Sequence, residues 1–134
     1  MTAIITTFKL IPARLAQQIA DQIDQAGSTP MIEARIFGLL VDAGYTPEEI
    51  GPMVGMHWAR VFNRLALRKL SADAQGMVDR GALSGDSGYY VAQLSPTAQA
   101  DMLTRIRNGE FATENALQCA ALDVQDAEEA AIPA

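Results

Sequence analysis

From about Pro12 to Asp24 the apolar residues Leu15, Ile19 and Ile23 recur every four positions, with Ala16 and Ala20 beside them. That spacing predicts one face of an amphipathic helix, and Pro12 suits its first turn. Gly27-Ser28-Thr29-Pro30 ends it, and a second helix is predicted over about Met31–Ala43, with Ile32, Ile36, Phe37, Leu39 and Leu40 on its apolar side. Gly44 follows as a natural left-handed C-terminal residue. Thr46-Pro47-Glu48-Glu49 then reads as a capping box, in which the Thr46 hydroxyl accepts from the Glu49 N–H and the Glu49 carboxylate reaches back. After the turn at Gly55 a longer helix is predicted from about His57 to Leu70, and Ser71 caps a shorter one as far as Arg80.

Beyond Ser84, Tyr89–Leu94 is predicted helical, with Gly85 and Gly88 leaving its start open. Ser95-Pro96 opens a helix that uses Met102, Leu103 and Ile106 and closes at Gly109, and a last helix spans about Thr113–Leu122. The β-prone piece Ile4-Ile5-Thr6-Thr7-Phe8 is too short to found a sheet and is read as an arm. The pattern as a whole predicts an all-α fold, a multi-helix orthogonal bundle: an N-terminal arm over 1–11, one helical domain over 12–122 and an acidic, disordered tail over 123–134.

Composition narrows the chemistry. The chain has 134 residues, 49% hydrophobic but only 6% aromatic, which suits helices packed through aliphatic side chains within one domain. Cys119 and His57 are the single cysteine and histidine, so one chain supplies neither an intramolecular disulfide nor a Cys/His zinc cluster. A reducing, cytoplasmic setting is expected, and no segment approaches the roughly 20 apolar residues that span a bilayer. The search for a phosphate-cradling glycine loop, a nucleophile elbow or an HExxH pair finds none, so neither catalysis nor a cofactor or metal is expected. Net charge is −6, which opposes a nucleic-acid ligand until its distribution is considered. Between Ile50 and Ala72 stand Arg60, Arg64, Arg68 and Lys69 with no acid, so one basic segment lies within a chain otherwise at −10.

That basic segment coincides with a helix-turn-helix over about residues 46–70. Such a unit needs a small residue where its helices touch, a glycine at the turn and apolar residues fixing the second helix; Gly51, Gly55 and Val61 supply them, with Ile50 and Val54 pointing to the core. The second helix is then expected to expose His57, Trp58, Arg60, Asn63 and Arg64, where a recognition helix meets base edges. Arg60, Arg64 and Arg68 stand four apart, either as a track along phosphates, joined by Lys69, or as a solvated face paired with acids. Trp58 either packs on a thymine methyl or sugar, or anchors the core or a protein partner. Tyr89-Tyr90 are read as core packing with surface hydroxyls, and Cys119 as a buried small hydrophobe.

The stretch PMIEARIFGLLVDAGYTPEEIGPMVGMHWARVFNRLALRKLSADAQGMVDRGALS resembles the central DNA-binding domain of the ParB family of plasmid and chromosome partition proteins, over about residues 30 to 120. The resemblance is carried by Gly44-Tyr45-Thr46, Glu48-Glu49-Ile50, Gly55, Val61-Phe62-Asn63-Arg64-Leu65, Asp73-Ala74-Gln75-Gly76-Met77, Gly81-Ala82-Leu83-Ser84 and Asn108-Gly109-Glu110-Phe111. Two departures stand out: Pro52 predicts a distorted or shortened first helix, and Asp86-Ser87-Gly88-Tyr89 replaces the family's Gly-His-Ala-Arg. The family's Arg-rich nucleotide-binding box and C-terminal dimerisation domain have no counterpart in this sequence, so CTP-driven clamping is not expected.

The resemblance implies binding to double-stranded DNA, as a small regulator of transcription or a partition accessory of a plasmid, phage or chromosome. Two-fold operators usually require dimers; with no coiled-coil seam visible, a homodimer would use helical surface or the arm. The competing reading is an acidic protein-binding module from a mobile element, docking on a basic nucleic-acid-handling complex.

Overall fold

A hydroxyl at the start of a helix accepts one of the backbone N–H groups that the first turn leaves without an internal partner. In the computed structural model, which describes residues 8–25 and 28–133, this device recurs along the chain. The helices are α1 (Ala13–Gln25), α2 (Pro30–Asp42), α3 (Pro47–Val54), α4 (Trp58–Ala66), α5 (Ala72–Asp79), α6 (Gly85–Ala92), α7 (Pro96–Arg107) and α8 (Glu114–Ala130), with a 3-10 turn at Leu67–Lys69. Thr29, Thr46, Ser71, Ser84, Ser95 and Thr113 each accept from the N–H three residues on, and so open α2, α3, α5, α6, α7 and α8. No strand occurs among the described residues, and the fold is all-helical. The β-prone residues Ile4 to Thr7 lie outside them.

By packing, the chain divides into two units, Met1–Leu65 and Ala66–Ala134, where the sequence reading has one helical domain over 12–122. In the first unit Ala16, Ala20 and Ile23 of α1 pack with Phe37 and Leu40 of α2, and with Tyr45, Ile50 and Val61. Alanines at the contact let α1 come close to α2 and α3. Leu15 and Leu39, expected on the apolar faces, are instead exposed. The face of α2 is set by Met31, Ala34, Phe37 and Leu40, a stripe of threes that turns Leu39 outward.

Residues 8–11 of the expected arm lie along the loop between α2 and α3. The Leu10 N–H donates to the Ala43 carbonyl at 2.8 Å, and the Tyr45 hydroxyl to the Ile11 carbonyl at 2.7 Å. Gly44 has φ +104°, and a Cβ there would stand 2.4 Å from the Phe8 carbonyl oxygen, so only glycine meets both demands. Lys9 pairs with Glu49, donates to the Gly44 carbonyl and sits 4.4 Å from the centre of the Tyr45 ring.

The second unit is centred on Leu67, Met77, Val78, Val91, Met102, Leu103 and Ala121. A Cβ on Gly88 would meet a Leu67 methyl at 2.9 Å, so the glycine lets α6 lie against the 3-10 turn. The buried Gln99 ties that turn to its surroundings: its Oε1 accepts from the Ser71 N–H at 2.9 Å, and its Nε2 donates to the Lys69 and Leu94 carbonyls. Buried amides are tolerated when satisfied in this way.

The acidic stretch from Asp123, expected as a disordered tail after a helix ending at Leu122, is helical as far as Ala130. Its alanines, glutamates and single glutamine are good helix formers, and the Glu128 carboxylate accepts from the Ser95 N–H at 3.0 Å, holding the end of α8 to the start of α7. Cys119 on α8 is exposed rather than buried, because Leu117 and Ala121 take the inward positions.

Two of these carboxylates are held below their ordinary value of 4.5, Glu49 chiefly by the hydrogen bond from Lys9 and then by the Thr46 N–H, and Glu128 by its bonds to Ser95. A lowered folded pKa stabilises the fold above the ordinary carboxylate value, and that contribution is lost as pH falls through the folded one. Thermal melts of Glu49→Gln and Glu128→Gln are therefore expected to lie below wild type by a constant gap at neutral pH. The gap should narrow as the pH drops below about 4.5; a gap that persists unchanged to pH 3 would contradict the assignment.

Candidate nucleic-acid interface

The α3–α4 unit is assembled from its caps inward. The Thr46 Oγ1 accepts from the Glu49 N–H at 3.2 Å, and the Thr46 N–H donates to Glu49 Oε1 at 3.1 Å, which is the reciprocal capping box that the sequence predicts. Gly55 adopts the left-handed conformation at φ +69°, with open space around its Cα, so this glycine is required by backbone conformation rather than room. At Gly51 room is the constraint, since a Cβ would stand 2.6 Å from the Met56 carbonyl oxygen and 3.4 Å from the Trp58 nitrogen. Pro52 is exposed and α3 passes through it to Val54; the proline removes the N–H that would bond the Glu48 carbonyl.

Of the residues expected at the interface, His57, Trp58 and Arg60 are exposed, and Asn63 is half-buried. His57 Nδ1 accepts from the Ala59 N–H at 3.1 Å, so one ring nitrogen serves the first turn of α4. The His57 and Trp58 rings lie 5.6 Å apart. Trp58 is 45% exposed, which removes the core-anchor reading. Arg68 and Lys69, in the 3-10 turn of the second unit, are also exposed, and their carbonyls are held by Gln75 and Gln99 respectively. Tyr89 and Tyr90 are half-buried and pack edge to face at 5.5 Å.

Arg64 is the correction. Expected as an exposed cation, it is only 6% exposed, and its Nε lies 3.5 Å from Oε1 of the equally buried Glu33 on α2. Three positions after the buried Val61, it shares the inward face of α4, so its charge is neutralised inside the first unit. The stripe Arg60, Arg64, Arg68 thus loses its middle member as a solvent-facing group. Sequence reasoning missed Phe62, which is 50% exposed. The signal was present, since a helix that turns Val61 inward carries the next residue about 100° away.

Among the described residues no group of three His, Cys, Asp or Glu side chains is placed to hold a metal ion, and no helix is long and apolar enough to cross a membrane. What the site offers is an exposed helix start with two aromatics, an imidazole, an amide and one guanidinium.

Removing one partner of a buried ion pair leaves the other charge unmatched. Arg64→Ala or Glu33→Ala alone is expected to destabilise the fold by about 3–5 kcal/mol, whereas Glu33→Leu with Arg64→Met should lie close to wild type. Chemical denaturation of the three variants measures this; single variants within about 0.5 kcal/mol of wild type would mean that the pair is not structural.

The model of the ParB HTH domain matches residues 28–121. No curated protein matches the sequence. Among solved structures, the DNA-binding domain of the chromosome-partitioning protein ParB complexed to the centromeric parS site superposes with a TM-score of 0.75, covering 92% of this chain and 87% of that one. The two are 18% identical, so this likeness speaks for the fold. With the family model spanning most of the chain, and with its capping box, Gly51 contact and Gly55 turn in place, the protein belongs to the ParB HTH domain family.

Proposed function

We propose that the protein binds double-stranded DNA through α4, as a small ParB-like regulator or partition accessory of a plasmid, phage or chromosome. The observation that carries this reading is the helix-turn-helix itself, whose second helix leaves Trp58, Arg60 and Phe62 exposed, with His57 exposed just before it. A protein of the same fold is found complexed to the parS site, which supports the ligand class without supplying the sequence read. Arg60 on α4 is assigned a phosphate contact. Arg68 and Lys69 are exposed on the 3-10 turn, where a guanidinium and an ammonium are of the kind that meets phosphate. Arg64 is assigned to the fold, not to DNA.

The competing reading, an acidic module docking on a basic partner, draws support from α8, where Asp123, Asp126 and Glu129 are exposed with no basic residue on the helix. The two readings differ in what the protein shifts. DNA binding predicts retarded duplex at low salt and an affinity that falls as salt rises; acidic docking predicts a stoichiometric protein complex and no shift.

Fluorescence anisotropy on a bound duplex tests the role of Arg60. Arg60→Ala is expected to keep the wild-type melting temperature and to weaken binding about tenfold at low salt, as for a lost charge-assisted contact of about 1.5 kcal/mol. It should also reduce the slope of log K against log salt by about one. Unchanged affinity and slope would remove Arg60 from the interface.

A further inference from the structure

Each residue of an α-helix turns its side chain by about 100°, so the positions that face the core fix those that face away. In α4, Val61 and Arg64 are buried, as is Ala66 at its last position. The arc opposite them carries the exposed Phe62 with the half-buried Ala59 and Asn63, and Trp58 stands one turn before Phe62. Trp58 and Phe62 are 45% and 50% exposed, an aromatic pair at a spacing of four in a chain that is only 6% aromatic. An adjoining exposed apolar pair marks a surface that a ligand covers more often than a single exposed side chain does.

The polar groups available to read bases on α4 are few. Arg64 faces Glu33, His57 Nδ1 is engaged by the Ala59 N–H, and Arg60 points roughly 160° around the helix from Phe62. In the major groove an arginine or lysine reads guanine, an asparagine reads the adenine N6 and N7 edge, and an apolar group packs on the thymine C5 methyl. Phe62 supplies the third of these chemistries and Asn63 the second; Arg60, the exposed arginine of α4, lies about 60° from Asn63 and is the residue assigned above to phosphate.

We propose that α4 selects A·T-rich duplex, with Phe62, backed by Trp58, packing on thymine methyl groups and Asn63 hydrogen-bonding an adenine edge. This rests on the reading of α4 as a DNA-recognition helix, and it names the base chemistry which that reading leaves open. It also accounts for the large apolar side chains at positions facing solvent: in the groove they meet the one base substituent that is itself apolar.

The test begins with selection of duplexes by the whole chain from a randomised library, followed by affinity measurements on the selected duplex with each thymine replaced in turn by deoxyuridine. The expected consensus is A·T-rich, and each contacted methyl removed should weaken binding about three- to fivefold, the burial of one methyl group. Phe62→Ala, at an exposed position, should bind the thymine and uracil duplexes equally, while Phe62→Leu keeps part of the difference. A G·C consensus, or a selected duplex indifferent to uracil, overturns methyl reading while leaving DNA binding intact. Enrichment of no duplex overturns both.

Discussion

The helix-turn-helix depends on a steric allowance at one residue. Gly51 has no side chain, so the Met56 carbonyl and the Trp58 nitrogen occupy the space where a Cβ would be, at 2.6 and 3.4 Å. That approach lets the chain turn within two residues of Gly55 and start α4 against α3. The neighbouring features serve the same end: the capping box fixes where α3 begins, the left-handed Gly55 ends it, and His57 supplies an acceptor for the first turn of α4. Any side chain at position 51 would push the backbone of the turn away, and with it every residue assigned to DNA.

The Glu33–Arg64 pair works on the same helix from the other side. Burying two charges costs several kcal/mol in desolvation, and their attraction at 3.5 Å returns it only while both remain in place. The net contribution to stability is thus small, but the pair favours one orientation, with α4 rotated so that Arg64 meets Glu33 of α2. The same rotation turns Val61 inward and Phe62 outward. A residue that reads as a phosphate contact in sequence is in this way part of what aims its neighbours at solvent.

Most of the local architecture was legible in the sequence because it is written in short-range chemistry. Ser and Thr three residues before an N–H, Pro in the first turn of α3 and Gly at its end place the helix boundaries nearly where they are observed. The misreadings arise where a residue's environment is decided by a distant partner. Nothing near Arg64 in sequence reveals Glu33, thirty-one positions earlier, and nothing near Glu128 reveals the Ser95 N–H that holds the acidic end of α8. Leu39 was misplaced because periodicity gives a face only to within about one residue. An apolar pattern marks which face is buried, not which core it joins, so the packing units that meet at Leu65 and Ala66 are a matter on which the pattern is silent.

The withdrawal of Arg64 also bears on how such an acidic chain can bind DNA. Counterion release scales with the number of phosphates neutralised, at about 0.9 per contact in the slope of log K against log salt. Of the four cations between Ile50 and Ala72, Arg60 of the first unit and Arg68 and Lys69 of the second remain exposed; under the proposed reading, each phosphate that one of them neutralises adds about 0.9 to the slope. On a chain of net charge −6, the proposed reading therefore gives part of the affinity to contacts that depend on the bases. An apolar outward face on α4 fits such a division, since methyl contacts are indifferent to salt and are made only at the right sequence.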